Sequence, residues 1–286
     1  LGELLWDLFP EGKQLGGAPI NFACMAAQLG AKAYPVSCIG KDILGGELKK
    51  ALSELQIDHS YIAEHGNYPT GTVQIILDHN GKPSYEIGQG VAWDAIQMSK
   101  DLMELAGRTN AVCFGSLAQR NVISRDAIRA FIVALPSDAL KIFDVNLRQD
   151  IYSRELIEDS LGLCNILKLS DEELPILAEW FDLSGSVKKQ LKALISRFDL
   201  SLVAYTRGEE GSLLIRSDSE DEHPGYPTNI IDSVGAGDSF AAVLCMGLLN
   251  QMSLTDINGL ANQVASFVCS QKGGTPKLPS RFRKLF

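Results

Sequence analysis

The chain lacks an apolar run long enough to cross a bilayer. Its longest one, residues 240–249, has ten residues, whereas a membrane-spanning helix needs about 20. No charged and then apolar leader opens the chain, so the sequence predicts neither a membrane anchor nor a secretory signal. Because the chain starts with Leu1 and not with Met, we expect a few residues of the natural protein, and part of a first strand, to precede it.

Basic residues are scarce as well. The chain has 26 Lys and Arg against 35 Asp and Glu, and its formal net charge of -9 argues against a general surface for nucleic acid or anionic lipid. This balance still allows a locally positive pocket for a small anion. The six cysteines form no CxxC pair and the four histidines show no metal-ligand spacing. We therefore expect reduced core cysteines in a cytoplasmic protein, and no zinc site.

Short apolar runs alternate with helical periods along the chain. Such runs with helices between them predict an α/β fold, with a mostly parallel sheet covered by helices on both faces. The predicted strands are residues 35–39, 111–115, 141–145, 165–169 and 202–206, and the predicted helices are residues 20–29, 45–55, 125–135, 171–179 and 187–198. We find no repeat and no Pro/Ser-rich linker, which favours one domain over residues 1–286.

One segment departs from this alternation. Residues 73–77 and 83–87 alternate in polarity and flank Asn80-Gly81, a dipeptide typical of a β-hairpin turn. We expect an antiparallel excursion here that forms a flap. A second hairpin is expected near residues 212–216, followed by the acidic residues 217–223 as a solvated loop.

A glycine-rich segment, residues 232–239, runs directly into the apolar helical stretch 240–249. Gly235 and Gly237 allow several backbone N–H groups to point at one anion, and a helix N-terminus adds partial positive charge. Asp238 fits such a site if it takes a proton from a hydroxyl that attacks a phosphate, and otherwise it is an ordinary helix cap. The chain has no GxxxxGK[ST] loop and no GxGxxG after a first strand, which argues against a P-loop protein or a nicotinamide dehydrogenase.

Three further clusters carry polar groups. Asp144, Asn146 and Arg148 end a predicted strand at a spacing of two, which would place them on one side as phosphate and hydroxyl contacts, or as a plain salt bridge and turn. Gly16-Gly17-Ala18-Pro19-Ile20-Asn21 opens a helix, either as a sugar contact or as a tight helix start. The acids of residues 171–173 suit a helix N-terminus or a Mg²⁺ site.

Together these motifs resemble the ribokinase-like, or PfkB, family of carbohydrate kinases. The resemblance covers essentially the whole chain, in the order Gly16–Asn21, Asp144–Arg148, residues 206–211, residues 232–238, Ala261-Asn262 and residues 272–274. The Gly-Gly-Ala-Pro and Asp-x-Val-Gly-Ala-Gly-Asp forms are most similar to the fructokinase branch. The resemblance implies a ribokinase-like three-layer fold with a small β-lid from about residues 8–16 and 67–93, and an ATP- and Mg²⁺-dependent kinase with fructose as the first candidate substrate.

The resemblance also implies roles for single residues. Asp238 would be the base, Gly235, Ala236 and Gly237 would hold the transferring phosphate, and Arg148 would neutralise its charge. The implied sugar contacts are Asp7, Gly16, Gly17, Asn21, Tyr85 and Asn146. The implied ATP contacts are Lys168, Thr206, Gly208, Gly211, Asn262 and Gly273. Glu173 would support Mg²⁺ through water, and Asp232 would begin a loop able to hold K⁺.

The chain departs from the family pattern at Ser170, where the family usually has Asn three residues before the metal-supporting Glu. The shorter Ser side chain reaches less far into the metal–phosphate network. The residues leave several alternatives open: a kinase for 2-keto-3-deoxygluconate or ribose, and a non-catalytic sugar sensor, although a sensor should have lost Asp238 or the glycines. Members of the family often pair through their lids, so a homodimer is also expected.

Overall fold

The computed structural model describes residues 1–10, 12–77 and 83–283, which form strands and helices in alternation. The strands are β1 (Leu5–Phe9), β2 (Gly12–Gly16), β3 (Ser37–Gly40), β4 (Ile62–His65), β5 (Gly71–Leu77), β6 (Pro83–Ile87), β7 (Ala111–Gly115), β8 (Leu140–Asp144), β9 (Ile166–Ser170), β10 (Leu202–Thr206), β11 (Ser212–Ile215) and β12 (Glu220–His223). The helices are α1 (Ala18–Gln28), α2 (Ile43–Glu54), α3 (Lys100–Ala106), α4 (Val122–Val133), α5 (Arg154–Leu161), α6 (Leu174–Trp180), α7 (Val187–Phe198), α8 (Ala236–Leu249), α9 (Leu254–Cys269) and α10 (Ser280–Arg283).

The main sheet contains four of the predicted strands side by side. Its order is β12-β11-β10-β9-β8-β7, and the four strands from β7 to β10 run parallel. The fifth predicted strand is β3, which pairs in parallel with β4 in a separate two-stranded ladder. The first residues connect the two sheets, because Gly2 N donates to Val36 O at 3.0 Å and Leu1 N donates to Cys113 O at 2.9 Å.

Helices cover both faces of the main sheet, which confirms the predicted α/β class. Successive residues of each strand point to opposite faces, so Phe114 and Phe143 belong to one core cluster and Cys113 and Ile142 to another. The first cluster packs against α3 to α7, and the second against α1, α8 and α9. Among the described residues all six cysteines are free thiols, and no helix is both long and apolar enough to span a membrane.

The lid is a four-stranded sheet in the order β2-β1-β5-β6. β5 and β6 pair antiparallel from Val73↔Ile87 to Leu77↔Pro83, as the hairpin prediction requires, while the Asn80-Gly81 turn lies outside the described residues. β1 pairs in parallel with β5, so the first lid segment begins at Leu5 and not near residue 8.

The outer side of this lid is the surface through which the expected homodimer would form. By register, Lys13, Leu8, Gln74 and Glu86 lie in one row on the outer side, and Lys13, Gln74 and Glu86 are exposed. The exposed side chains of this row are therefore polar, while Leu8 packs against the apolar cluster that contains Trp6.

Two predicted elements differ from the structure. The acidic residues 217–223 are not simply a loop, because Glu220–His223 forms the edge strand β12. Its exposed Glu220 and Glu222 form ion pairs with Lys188, and charge on an edge strand hinders pairing with other chains. The helix expected from residue 171 begins at Leu174, since Glu173 occupies the cap position and uses its carboxylate elsewhere.

Candidate active site

The predicted polar residues gather at the C-terminal ends of β7 to β10, beneath the lid. In parallel sheets this edge carries the loops that bind ligands. The glycine-rich segment reaches the same edge, because α8 begins there at Ala236 with Gly235 as its cap residue. The clusters that the sequence suggested separately therefore form one cleft.

The start of α8 forms a cradle of free backbone donors. Gly235 has φ 76° and no side chain caps the helix. Ala236 N donates to Ser233 O at 3.3 Å, whereas the N–H groups of Gly235 and Gly237 have no acceptor among the described residues, which leaves them open to a ligand. A Cβ on Gly235 would lie 2.5 Å from Gly274 O, and a Cβ on Gly237 would lie 2.9 Å from Lys168 Nζ. Glycine is needed at position 235 because backbone approaches this closely, and a larger residue at position 237 would displace the ammonium of Lys168.

Asp238 lies in the first turn of α8 and is held by a residue from a distant part of the chain. Asn21 Nδ2 donates to Asp238 Oδ2 at 2.8 Å. Burial raises the pKa of Asp238 above its ordinary value, while the Asn21 hydrogen bond and the charges of Lys168 and Arg148 oppose that rise. Asn21 is 4% exposed, and its Oδ1 has no hydrogen-bond partner in the described part of the chain. Asn21 was predicted as a sugar contact, and the structure places its amide on the proposed base.

Lys168 and Asp144 form a buried ion pair next to the cradle. Lys168 Nζ donates to both carboxylate oxygens of Asp144, at 3.0 and 2.9 Å. Burial raises the pKa of Asp144 to about 6, even though Lys168 acts in the opposite direction. The salt bridge that the sequence analysis gave as one alternative for Asp144 is therefore present, with Lys168 as its partner.

The loop after β8 does not continue the strand. Asn146 has φ 43°, in the left-handed region, so Asp144, Asn146 and Arg148 do not share one side as an extended chain would place them. Arg148 is exposed and donates from Nη1 to Leu147 O at 3.1 Å. Its positive charge still acts on Asp7 and Asp238, and lowers the pKa of both carboxyl groups against the effect of burial.

Asp7 and the Gly16-Gly17 turn form the lid side of the cleft. A Cβ on Gly16 would overlap Asp7 Oδ2, so the glycine allows the carboxylate to lie against the backbone. Gly17 has φ 109°, and a Cβ there would lie 2.5 Å from Glu3 O. Burial raises the pKa of Asp7 to about 6, and the charge of Arg148 opposes this rise.

Glu3 is a residue of this region to which the sequence analysis assigned no role. It is 3% exposed, and its Oε1 accepts from the N–H of Ala18, the first residue of α1, at 3.3 Å. Its Oε2 has no partner among the described residues, and burial raises its pKa to about 7. A single acid within the apolar run of residues 1–6 was the signal available in the sequence.

Comparison with known proteins agrees with this geometry. A family model described as pfkB family carbohydrate kinase matches residues 11–281. The chain belongs to this family. It is 30% identical to the sugar kinase PH1459 of Pyrococcus horikoshii, over 97% of this chain and 92% of that protein. The solved structure of this uncharacterized sugar kinase is 29% identical and matches with a TM-score of 0.81 over 96% of this chain and 92% of that one.

Two fructokinases are also similar to this pfkB family member. The fructokinase of Klebsiella pneumoniae is 28% identical over 98% of this chain and 95% of its own length. The structure of a fructokinase from Vibrio cholerae O395, with fructose, ADP and calcium ion bound, is 26% identical with a TM-score of 0.81. It covers 97% of this chain and 94% of that one. These similarities confirm the expected ribokinase-like fold.

Both residues that the family resemblance linked to cations use their carboxylates as backbone acceptors. Glu173 Oε1 accepts from Leu147 N at 2.9 Å and its Oε2 from Ser170 N at 2.7 Å, which joins the loop after β8 to the end of β9. Asp232 accepts from Val234 N and from Gly273 N, both at 3.0 Å, which joins the cradle to the loop after α9.

The residues expected on the ATP side of the pfkB fold lie at the ends of β10 and β11 and in α9. Thr206 ends β10, and Gly208 follows it with φ 56° and open space where a Cβ would be. A Cβ on Gly211 would overlap His223 O, so chain packing alone explains that glycine. Asn262 Nδ2 donates to Ser212 Oγ at 2.7 Å and to Asn258 O at 2.8 Å, so its amide points into the protein.

Two further positions complete the placement of the predicted residues. Gly273 has φ 76° and lies in the loop that contacts Asp232. Tyr85 pairs with Ile75 in the ladder between β5 and β6, which places its backbone in the lid.

Proposed function

We propose that the chain is an ATP-dependent sugar kinase and that fructose is its first candidate substrate. The single observation that carries the proposal is the position of Asp238. Its carboxylate is held by Asn21 at 2.8 Å in the first turn of α8, beside an uncapped helix start. The fructokinase relatives and the fructose-bound Vibrio structure favour fructose, at 28% and 26% identity.

In the proposed reaction Asp238 accepts the proton of a sugar hydroxyl. The freed oxygen forms a bond to the terminal phosphorus of ATP, and the bond between that phosphorus and the ADP oxygen breaks. The N–H groups of Gly235 and Gly237 and the ammonium of Lys168 would face the charge of the moving group, while the N–H of Ala236, also expected there, donates to Ser233 O. Arg148, on an exposed loop, adds a second cation. Dipoles and cations fixed in place before the reaction stabilise such charge without reorganisation.

The remaining predicted residues are proposed to bind the sugar or ATP. Asp7, Gly16, Gly17, Asn146 and Tyr85 are the proposed sugar contacts. Thr206, Gly208, Gly211, Asn262 and Gly273 are the proposed boundary of the ATP cleft, and of these Gly208 has the most open surroundings. For Asn262 and Gly211 the support is positional, since the contacts of both are within the protein.

The donor set fits Mg²⁺ in the way that phosphoryl-transfer enzymes hold it. Mg²⁺ keeps several waters and takes one or two carboxylates together with phosphate oxygens. Glu173 offers a carboxylate already oriented by two backbone N–H groups, so it would hold the ion through water. Bound Mg²⁺ would neutralise phosphate charge. Asp232 is oriented in the same way and is the proposed carboxylate for K⁺.

The test is a screen of ADP release from ATP and Mg²⁺ over ketoses, aldoses and sugar acids. We expect fructose to give the highest kcat/KM. Asp238→Asn should lower kcat by about 10²–10⁴-fold, because the base is lost while size is kept. Asp256→Asn is the matched control, since the exposed Asp256 also lies in the first turn of a helix, α9, where its carboxylate accepts from Ser253 Oγ at 2.6 Å. Near-normal turnover in Asp238→Asn would contradict the assigned base.

The alternatives are outcomes of the same screen. Preference for 2-keto-3-deoxygluconate or ribose would change the substrate and keep the mechanism, whereas sugar binding without turnover would indicate a sensor. A homodimer through the lid and a cytoplasmic location stay predictions. The exposed Lys13, Gln74 and Glu86 mean that such a dimer would join through polar contacts in the described part of the lid. Sedimentation velocity measures the oligomeric state.

A further inference from the structure

One side chain outside the cleft contacts one of the two points where the hairpin of β5 and β6 joins the rest of the protein, and it stacks on the residue that contacts the other point. We call these points the lid roots, Gly71 and Gly88. Arg120 Nη2 donates to Gly88 O at 2.5 Å. Its guanidinium carbon lies 3.9 Å from the ring centroid of Trp93, and the indole Nε1 of Trp93 occupies the space where a Cβ of Gly71 would be.

Asp94 fixes the plane of this guanidinium. Arg120 Nε donates to Asp94 Oδ1 at 2.7 Å and Nη2 donates to Oδ2 at 2.8 Å, while the two side chains are 10% and 4% exposed. A two-point contact of this kind sets orientation as well as position. A buried ion pair gives little net stability by itself, and Arg120 Nη1 and Trp93 Nε1 have no acceptor in the described part of the chain. The arrangement is therefore better explained by the geometry it holds.

The segment that carries Arg120 also reaches the cleft. Arg120 ends a short 3-10 helix, Leu117–Arg120, that follows β7. The preceding Ser116 donates from Oγ to Val145 O at 2.8 Å, in the loop that leads to Arg148. On the lid side, Gly71 pairs with Leu5 two residues before Asp7 pairs with Val73. The contacts of this segment thus connect the lid roots with the proposed sugar and phosphate groups.

We propose that Arg120 is a positioning residue that fixes the lid roots and thereby sets sugar affinity and the coupling of ATP consumption to sugar phosphorylation. The inference rests on the proposed function for its kinetic part. A lid that closes correctly excludes water from the transferring phosphate, so a loosened lid admits hydrolysis.

The first measurement needs no substrate. Arg120→Lys keeps the charge but loses the planar fork and its stacking on Trp93. Hydrogen exchange in peptides from residues 71–77 and 83–87 should become about tenfold faster, as expected for a lost charge-assisted hydrogen bond, while β8 to β10 stay protected. Arg125→Met is the matched control, because Arg125 donates from Nε to Gln119 O at 2.8 Å and makes no hydrogen bond to Gly71 or Gly88 in the described part of the chain.

The second measurement is kinetic. In Arg120→Lys we expect the sugar KM to rise about tenfold with the ATP KM unchanged, and ADP release to exceed sugar phosphate formed. The double variant Arg120→Met with Asp94→Asn removes both charges. It should have the Tm of the wild type, because no unpaired charge is left buried. Its sugar KM should stay raised, because the neutral side chains do not restore the two-point contact between Arg120 and Asp94.

Two results would overturn the proposal: unchanged exchange at the lid roots in Arg120→Lys, or recovery of both Tm and sugar KM in the double variant. The latter would mean that Arg120 only compensates Asp94. If the wild type phosphorylates no sugar, the proposed function fails, and the exchange measurement still decides whether Arg120 fixes the lid roots.

Discussion

Replacing Asn21 should move the pH range in which the protein is active. The Asn21 amide donates to Asp238 Oδ2 at 2.8 Å and opposes the rise in the Asp238 pKa that burial causes. A hydrogen bond to a charged group contributes roughly 1.5–3 kcal/mol. At about 1.4 kcal/mol for each pH unit, its loss corresponds to a displacement of about 1–2 pH units.

The sign follows from the role of the base. Asp238 must be ionised to accept a proton, so activity falls as the pH drops through its pKa, and a higher pKa brings that loss to higher pH. Asn21→Leu removes the donor at similar volume and should move the acid limb of kcat upward by about 1–2 pH units. Asn21→Asp should move it further in the same direction, because two carboxyl groups at this distance cannot both ionise readily.

The assay is kcat and kcat/KM for the sugar at saturating ATP from pH 5.5 to 9. Gln28→Ala serves as the matched control, since Gln28 ends the same helix α1 and uses its carboxamide on Pro276 O and Leu278 N. A rise in sugar KM with an unmoved acid limb would show that Asn21 is a sugar contact, as the family resemblance implied, and would refute its role in positioning the base.

Three other variants or states test the rest of the site. Arg148→Ala should lower kcat more than it raises the sugar KM, because its charge meets the moving phosphoryl group; a change in KM alone would make it a ground-state sugar contact. Glu3→Gln should raise the free energy of unfolding in urea at pH 8.5 by up to about 3 kcal/mol and leave it unchanged at pH 4. The reason is that burial raises the pKa of Glu3 from the ordinary 4.5 to about 7. The stability that the protonated Glu3 contributes to the wild type is therefore lost as the pH rises through 7, whereas Gln is neutral at every pH. An equal difference at both pH values would contradict this. Adding sugar should slow hydrogen exchange in residues 71–77 and 83–87, and unchanged exchange at saturating sugar would mean that the lid is static.

The parts of the fold that the sequence predicted well are those with local signals. β7 to β10 are continuous apolar runs, and α8 follows a glycine turn, so a short stretch of chain identifies each of them. The acidic β12 lacks such a signal, because charged residues on an edge strand have the composition of a loop. The prediction that Asp144, Asn146 and Arg148 share one side was wrong, because it assumed an extended chain. The backbone of Asn146 is left-handed, which ends the alternation of side chains there.

The site was predicted as a set of residue types, and its contacts were not. Asn21 and Asp238 are 217 positions apart, and Lys168 and Asp144 lie on neighbouring strands, so no spacing rule connects either pair. Sequence reasoning consequently left two alternatives for each cluster, a ligand contact or a structural role, and it did not predict that Asn21 contacts Asp238 or that Lys168 is the partner of Asp144. Glu3 was overlooked because one acid in an apolar run gives no spacing pattern at all.

A carboxylate at a phosphate site should repel its ligand, and the contacts around Asp238 explain how the cleft tolerates one. Asp144 shares the charge of Lys168, so it adds little net negative charge beside the cradle. Burial raises the pKa of Asp7 to about 6 and that of Glu3 to about 7, which lowers the cost of protonating either group near neutral pH. The start of α8, which no side chain of the described residues caps, then presents partial positive charge to the ligand. The ionised form of the proposed base is thus supported, against the effect of burial, by the amide of Asn21 and by the charges of Lys168 and Arg148.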